Sequence, residues 1–320
     1  MSALQRTHPL YDLPLEQRHI GRFLSLRAQQ DGARPYLTIG GRTYTFAQTD
    51  ERCRNLARGL SKRGIKDASR VLVLLPNCAE FIFTWYACSL LGAAIVPLNP
   101  QLKGPMLEAL FEDAAAEAAI VHHTLLQAID SMRAEISNRL PWWAVVGGVD
   151  GVERVLQPER CVDFDALYTN GGADVEVTPD YRRIQVISYT SGTTGPAKGV
   201  MIPDGQSFSS ACTYMRLTGM TREDIVYSPL PLFHGLASRM CALPALVLGA
   251  HAVIDERFSA SAYWEQAARC NATLAQVVHA IVALIMAQPP GAFDRAHKVR
   301  AVFNAAHDLL AEQQDQEPEQ

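Results

Sequence analysis

Glycines and hydroxyl-bearing residues concentrate in the stretch YTSGTTGPAKGV, which runs from Tyr189 to Val200 between two apolar runs. Glycine lets a backbone turn and approach a ligand closely because it has no Cβ atom. Successive backbone amides and Ser or Thr hydroxyls form a concave group of donors that suits phosphate oxygens. Lys198 adds a mobile positive charge. The stretch predicts a polyphosphate-binding loop; the alternative is a flexible Gly/Thr hairpin tip with a solvated lysine.

The stretch differs from the nucleotide-binding pattern G-x-x-x-x-G-K-[ST], which leads into a helix. Here Lys198 comes three residues after Gly195, Gly199 follows it directly, and an apolar strand-like run comes next. We therefore predict a strand–loop–strand arrangement, in which phosphate would be bound by amides and hydroxyls and not by a helix dipole.

A second candidate residue, His234, follows the apolar run PLPLF at the point where a buried strand is expected to emerge into a loop. A lone histidine is more often a hydrogen-bonded structural residue than a catalytic one, so both roles stay open. The pair His122–His123 has no carboxylate or cysteine at ligand spacing and is interpreted as loop or surface structure. No metal-ligating residues are predicted.

Composition and charge exclude several classes of partner. The chain has 320 residues, a hydrophobic share of 48% and a formal net charge of −4, and four acids within the last ten residues account for that excess. The rest of the chain has balanced acidic and basic residues, so the composition indicates no excess of positive charge that would attract nucleic acid or anionic lipid. The seven cysteines form no C-x-x-C pair, which indicates reduced thiols and a cytoplasmic location. No apolar window is long and unbroken enough to predict a membrane span.

Strand and helix signals alternate along the chain, which predicts an α/β fold of two lobes, each a mostly parallel sheet covered by helices. The first lobe is predicted over residues 1–180, the second over 181–306, and a divergent polar tail over 307–320. Local signals predict a hairpin around Gly40–Gly41 and a capping box of Thr45 with Gln48.

Two further local signals predict helices. Asn77 with Glu80 is typical of a helix N-terminus. Apolar residues from Leu274 to Ile285 recur at a spacing of about 3.6, which predicts one amphipathic helix.

The loop and several other segments resemble the adenylate-forming (AMP-binding) superfamily, which includes acyl-CoA synthetases, peptide-synthetase adenylation domains and luciferases. YTSGTTGPAKGV resembles its phosphate-binding signature, YSPLPLFHGLA its second signature, and NCAEFIFTWYACSLLGAAIVPLNPQL part of its N-terminal lobe. RFSASAYWEQAARCNAT and QPPGAFDRAHKVR are most similar to the carnitine/crotonobetaine-CoA ligase-like branch. The resemblance runs from about residue 10 to about residue 306.

The resemblance implies that a carboxylic acid is activated by ATP with Mg²⁺ to an acyl-adenylate and then transferred to coenzyme A. It implies catalytic roles for Lys198, near the leaving pyrophosphate, and for His234, beside the acyl and α-phosphate groups. By the same resemblance the phosphates would be bound by Thr190, Ser191, Gly192, Thr193, Thr194 and Gly195. Ala305 and Ala306, with Asn304, would contact the adenine.

The resemblance stops at His307. The superfamily's later glutamate for Mg²⁺, its ribose-binding aspartate and its mobile C-terminal domain with a catalytic lysine have no counterpart here. The sequence is therefore expected to represent an incomplete large N-terminal domain, and activity of this chain alone is an open question. The alternative function is a non-catalytic nucleotide- or acyl-binding module. Apolar faces that would meet the missing part would be exposed, which favours self-association into a homo-oligomer.

Overall fold

The computed structural model describes residues 14–172, 178–190 and 197–305, which form two β-sheets flanked by helices. The strands are β1 (Pro35–Ile39), β2 (Arg42–Thr45), β3 (Arg70–Leu74), β4 (Ala94–Pro97), β5 (Ala118–His122), β6 (Trp143–Val146), β7 (Cys161–Asp163), β8 (Ile184–Tyr189), β9 (Gly199–Pro203), β10 (Ile225–Ser228), β11 (His251–Ile254), β12 (Leu274–Val278) and β13 (Ala301–Ala305).

The helices include a continuous helical segment in which a π-helical turn, Ser238–Ala242, joins α8 to α9. They are α1 (Ile20–Asp31), α2 (Phe46–Lys62), α3 (Ala79–Leu91), α4 (Gly104–Ala114), α5 (Leu126–Asp130), α6 (Ala134–Ser137), α7 (Asp204–Thr218), α8 (Gly235–Ala237), α9 (Leu243–Leu248), α10 (Tyr263–Arg269) and α11 (His279–Met286). None of the helices within the described ranges has both the length and the apolar character needed to cross a bilayer.

The first sheet has seven strands in the order β7-β6-β5-β3-β4-β8-β9. All neighbouring pairs are parallel except β8 and β9, which pair antiparallel from Ile184 opposite Pro203 to Tyr189 opposite Gly199. The predicted strand–loop–strand arrangement around the glycine-hydroxyl stretch is therefore confirmed by its two flanking strands.

The second sheet has six strands in the order β13-β12-β10-β11-β1-β2, parallel except for the β1–β2 hairpin. The predicted α/β architecture of two mostly parallel sheets with helices is confirmed. The sheets do not divide the chain at residue 180, however. β1 and β2 join the sheet formed by later residues, whereas β8 and β9 join the sheet formed by earlier ones, because strand pairing follows packing and not only chain order.

One large apolar core connects the two sheets. It contains buried residues of β1, β3, β4 and β10 together with the nearly all-buried helix α3. Within it, the hydroxyl groups of Tyr36 and Tyr86 lie 2.6 Å apart, and the Tyr36 hydroxyl also donates to the carbonyl oxygen of Ala242. These contacts join β1, α3 and the π-helical turn, so both walls of any cleft between the sheets share one core.

Two local predictions are confirmed and one is wrong. Gly40 and Gly41 have positive φ angles of 57° and 70° at the hairpin turn, and Thr45 with Gln48 forms the capping box of α2. The single helix predicted from Leu274 to Ile285 is instead the strand β12 followed by α11. A central strand of a parallel sheet is buried on both faces and reads as a continuous apolar run, which also satisfies helical spacing.

Candidate active site

A cavity of about 760 Å³ lies where the carboxyl ends of β4 and β8 meet α4 and the loop after β10. Its walls are formed by Pro97, Leu98, Asn99, Leu102, Pro105, Met106, Ala109, Leu110, Asp113, Ser188, Tyr189, Thr190, Ala197, Phe233 and His234. Two of the residues predicted from sequence, Thr190 and His234, thus line one cleft although they come from different sheets. We call it the hairpin cleft.

The base of the predicted phosphate loop is closed by two hydrogen bonds. The backbone N–H of Thr190 donates to the carbonyl oxygen of Lys198 at 3.2 Å. In return, the N–H of Lys198 donates to Oγ1 of Thr190 at 3.3 Å. The Lys198 side chain is exposed at this base and is not among the lining residues of the cleft. Five predicted phosphate-binding residues, Ser191, Gly192, Thr193, Thr194 and Gly195, lie outside the described residues.

A contact missed by the sequence analysis links the hairpin to α4. The Tyr189 hydroxyl donates to Oδ2 of Asp113 at 2.6 Å, and both residues line the hairpin cleft. Burial, together with this bond to a carboxylate, raises the pKa of Tyr189 above its ordinary value, so the phenol stays protonated as the donor. Nothing in the local sequence pairs two residues that lie 76 positions apart.

His234 stands on the opposite wall of the cleft. Its backbone N–H donates to the carbonyl oxygen of Pro231 at 3.1 Å, and its ring centroid lies 4.2 Å from that of Phe233. The imidazole opens onto the cleft, and desolvation by the surrounding protein lowers its pKa. The ring is therefore mainly neutral at neutral pH, which suits a steric or hydrogen-bonding role better than a charged one.

Asn77 holds the loop that carries His234. Its buried amide nitrogen donates to the carbonyl oxygens of Leu230 and Asp255, at 2.9 and 2.8 Å. Its amide oxygen accepts the N–H of Leu232 at 2.7 Å. The helix cap predicted for Asn77 is wrong: α3 has Cys78 as its N-cap, without a side-chain cap bond, because long-range bonds occupy the asparagine. No sequence signal marks this role.

His234 also lines a second cavity, of about 490 Å³, which we call the apolar cavity. The remaining lining residues are Ser210, Leu230, Pro231, Gly235, Leu236, Arg239, Met240, Val278, Ile281 and Phe303. Ala305, predicted to contact adenine, ends β13 opposite Val278 of this cavity, and Ala306 lies outside the described residues.

The two cavities share His234 and form one candidate site with two chemically different ends. The end beside the hairpin offers hydroxyl and amide groups together with the carboxylate of Asp113, which accepts the Tyr189 hydroxyl, whereas the other end is predominantly apolar. Such a site can hold a ligand with a polar anionic part at the hairpin and an organic part beyond His234. Within the described ranges, no group of three or more His, Cys, Asp or Glu side chains could hold a metal ion, so no residue is assigned to Mg²⁺.

Comparisons with known proteins identify a family and several relatives of this chain. A sequence profile described as "AMP-binding enzyme" matches residues 24–315. Crotonobetaine/carnitine–CoA ligase of Salmonella choleraesuis is 28% identical over 265 residues, which cover 82% of this chain and 50% of that protein. The same ligase of Salmonella typhimurium is 29% identical over 267 residues, with the same two coverages. The chain thus spans about half the length of the curated relatives it matches.

Solved structures show the same fold at low sequence identity. The anthranilate CoA ligase AuaEII in complex with anthranoyl-AMP has a TM-score of 0.81 and 21% identity over 93% of this chain and 56% of its own. The inhibitor-bound N-terminal domain of FACL13 from Mycobacterium tuberculosis has a TM-score of 0.75 and 24% identity, covering 89% of this chain and 69% of its own.

Proposed function

The chain belongs to the AMP-binding enzyme family, and we propose that it serves the ATP-dependent activation of a carboxylic acid to an acyl-adenylate and the transfer of the acyl group to coenzyme A. The observation that carries the proposal is the meeting of Thr190 and His234 across one cleft at the base of the glycine-hydroxyl loop. The relatives named above are, by name, ligases that join an acid to CoA.

The residues of the loop would bind the phosphates of ATP. Thr190 Oγ1 already accepts a hydrogen bond from the Lys198 N–H, so its own hydroxyl hydrogen is available to a phosphate oxygen. Ser191, Gly192, Thr193, Thr194 and Gly195 would add amides and hydroxyls, as such loops do for phosphate. Lys198, exposed beside the loop, would place its ammonium group near the leaving pyrophosphate, where a cation stabilises developing charge.

On the other wall, the neutral ring of His234 would separate the reacting carboxylate from the rest of the acid, because it lines both cavities. The apolar cavity would take the acyl part. The ends of β12 and β13, with Ala305 and Ala306, would contact the adenine. ATP with Mg²⁺ would supply the electrophilic phosphate, and coenzyme A the thiol that accepts the acyl group.

The proposal extends to organisation and location. We propose a cytoplasmic location, which the seven free cysteines support, and self-association. The last is supported by the exposed apolar residues Leu284 and Met286 of α11 and Val302 of β13, which are 52%, 78% and 45% exposed.

Calorimetry tests the proposal directly. Titration of the whole chain with ATP·Mg²⁺, and with a non-hydrolysable acyl-adenylate analogue, is expected to give binding heats. Lys198→Ala should weaken ATP binding by about tenfold or more, since a charge-assisted contact to phosphate is lost. Lys62→Ala, an exposed lysine on α2, is the matched control and should change nothing. The absence of heat with both ligands would contradict the proposal.

A non-catalytic nucleotide- or acyl-binding module is the second candidate. The specific observation in its favour is that the N-terminal domain of FACL13, a structural neighbour, has a crystal structure with an inhibitor bound. Release of pyrophosphate that depends on added carboxylic acid separates the two functions. Turnover supports activation of the acid, whereas binding without turnover supports the module.

A further inference from the structure

The π-helical turn after His234 carries an arginine directed at the apolar cavity. Arg239 lines that cavity and also a narrow void of about 10 Å³ beside Trp85 and Ser188. Its guanidinium packs over Gly235: a Cβ atom at Gly235 would lie 2.0 Å from Nη2 of Arg239 and 2.6 Å from its Cζ. Any side chain at position 235 would therefore displace the guanidinium, which is the end of a flexible side chain and can move. Turns of π-helix are frequent at functional sites.

Arg239 has no counter-charge in the described part of the chain. No described residue forms a hydrogen bond or an ion pair with its guanidinium, and no acidic residue lines either the apolar cavity or the narrow void. Desolvation lowers the pKa of Arg239 from its ordinary value, yet an arginine remains protonated at neutral pH. A partly buried, unpaired cation is unfavourable in the free protein, and binding of an anion relieves that penalty.

We propose that Arg239 is the counter-ion for a second anionic group on the acid, so that the substrate class of this chain is the dicarboxylic acids. This inference rests on the proposed function, because it takes the apolar cavity as the acyl site. An arginine guanidinium binds a carboxylate with two parallel hydrogen bonds, which gives both affinity and orientation.

The positions of three residues decide which carboxylate meets the arginine. Thr190 lines only the hairpin cleft, Arg239 lines the apolar cavity and not the hairpin cleft, and His234 lines both. The narrow void beside Arg239 shares Pro97, Ser188 and Phe233 with the hairpin cleft. In our proposal the reacting carboxylate lies beside the phosphate loop, and the second anionic group of the acid lies in the apolar cavity, across His234. The guanidinium faces the opposite end of the acid. The same charge disfavours acids that carry a trimethylammonium group at that end.

Calorimetry with acids of matched length tests the inference. The whole chain is titrated at pH 7 with hexanedioate, hexanoate and 4-(trimethylammonio)butanoate. Since a hydrogen-bonded charged pair is involved, hexanedioate should bind about 10- to 100-fold more tightly than hexanoate. The trimethylammonium acid should bind most weakly of the three.

Variants identify the responsible group. Arg239→Met should reduce the preference for hexanedioate to within about twofold while hexanoate affinity stays equal or rises, which also reports an intact cavity. Gly235→Ala keeps the charge but displaces the guanidinium, so it should reduce the preference as well. Arg139→Met is the matched control, since Arg139 is an exposed arginine bonded to Glu112 at the surface, and it should keep the full preference.

Equal affinity for the two six-carbon acids in the unmodified chain, or a preference that survives Arg239→Met, would overturn the inference. If Arg239→Met does not fold, the loss of preference is measured instead with Gly235→Ala and with Arg239→Gln, which also removes the charge. Titration of each variant with ATP·Mg²⁺ keeps the two proposals apart. ATP binding without discrimination between the acids refutes the role of Arg239 alone, whereas discrimination without ATP binding refutes the proposed activation chemistry.

Discussion

The two walls of the hairpin cleft are built in different ways. The His234 wall is fixed from a distant part of the chain, because the buried amide of Asn77 makes three hydrogen bonds to backbone on that side. The hairpin wall ends in an edge strand, β9, on which Val200 and Met201 are 45% and 64% exposed. It is held by its own ladder and by the contact of Tyr189 with Asp113.

The difference assigns separate tasks to the two walls. A wall that is locked into the core can keep a ring in one position while ligands exchange. Segments with exposed backbone pairing open at a lower free-energy cost than core elements, and binding loops are drawn from such segments. In the proposed function, the hairpin side would be the wall that adapts to the phosphates, and the His234 side would be the wall that stays in place.

The largest expected effect comes from breaking the fixed wall. Asn77→Ala leaves two carbonyl oxygens and one N–H without their partner at a site where the side chain is only 8% exposed. We expect the free energy of unfolding to fall by about 3–5 kcal/mol, since each buried polar group left unsatisfied is costly. Urea unfolding measures this loss.

Asn55→Ala is the control for this variant, because the Asn55 amide bonds at the surface to Asn170. It should change stability by less than about 1 kcal/mol. An equal loss for the two asparagines would show that the His234 wall is not specially fixed.

A smaller, pH-dependent effect is expected at the root of the hairpin. Asp204 begins α7 directly after β9, is 1% exposed, and accepts a hydrogen bond from the Gln185 amide on β8. Burial raises the pKa of Asp204 from 3.8 to about 7. The stability due to this shift is complete below pH 4 and is lost as the pH rises through about 7.

Asp204→Asn keeps the acceptor oxygen and removes the titration. Relative to this variant, the unmodified chain should lose about 2–3 kcal/mol of unfolding free energy between pH 5 and pH 8. His19, whose ring nitrogen lies 3.8 Å from Asp204, has its pKa lowered to about 4 by burial. Its own contribution is lost as the pH falls from 6.5 through about 4, which is the opposite direction to the loss expected from Asp204. Parallel stability curves for the two proteins would contradict the expectation.

The smallest effect is expected from the contact that steadies the hairpin. Tyr189→Phe removes the hydroxyl that bonds to Asp113, and we expect a loss of about 1 kcal/mol in unfolding free energy. The amides of Thr190 and Lys198 should exchange with solvent faster, as measured by hydrogen exchange.

Asp113→Asn retains an acceptor for the tyrosine and is the matched comparison. It should show a smaller change in both measurements. Unchanged exchange at Thr190 in Tyr189→Phe would mean that the ladder alone holds this wall.

Features of the fold that depend on neighbouring residues could be predicted from the sequence, whereas contacts between distant segments could not. The Thr45 capping box and the Gly40–Gly41 turn depend on residues close in the chain, so spacing was enough to predict them. Asn77 was misassigned because its three partners come from segments more than 150 residues later. The prediction of a helix over β12 is wrong because a continuous apolar run, buried on both faces, lacks the alternation of apolar and polar residues that distinguishes a strand from a helix.

The residues of the candidate site also differ in whether the sequence could predict them. Thr190 and His234 lie in segments whose local pattern is distinctive, and both line the hairpin cleft. Arg239 carries no pattern of its own. The role proposed for it depends on the space beside Gly235 and on the absence of an acidic residue from the described lining of its two cavities, which are properties of the packed structure. The roles predicted for Ser191 to Gly195 and for Ala306 stay predictions.

The placement of the first hairpin has a consequence for synthesis of the chain. Tyr36 of β1 bonds to Ala242, 206 residues further along. Among the described strands, β1 pairs with its own hairpin partner and with β11. While a ribosome extends the chain, this early two-stranded ribbon must wait until β11 emerges before its outer edge is covered. Slow, non-local pairing of this kind leaves a hydrogen-bonding edge open to wrong partners, so the nascent polypeptide is most vulnerable to misassembly before residue 254 has been made.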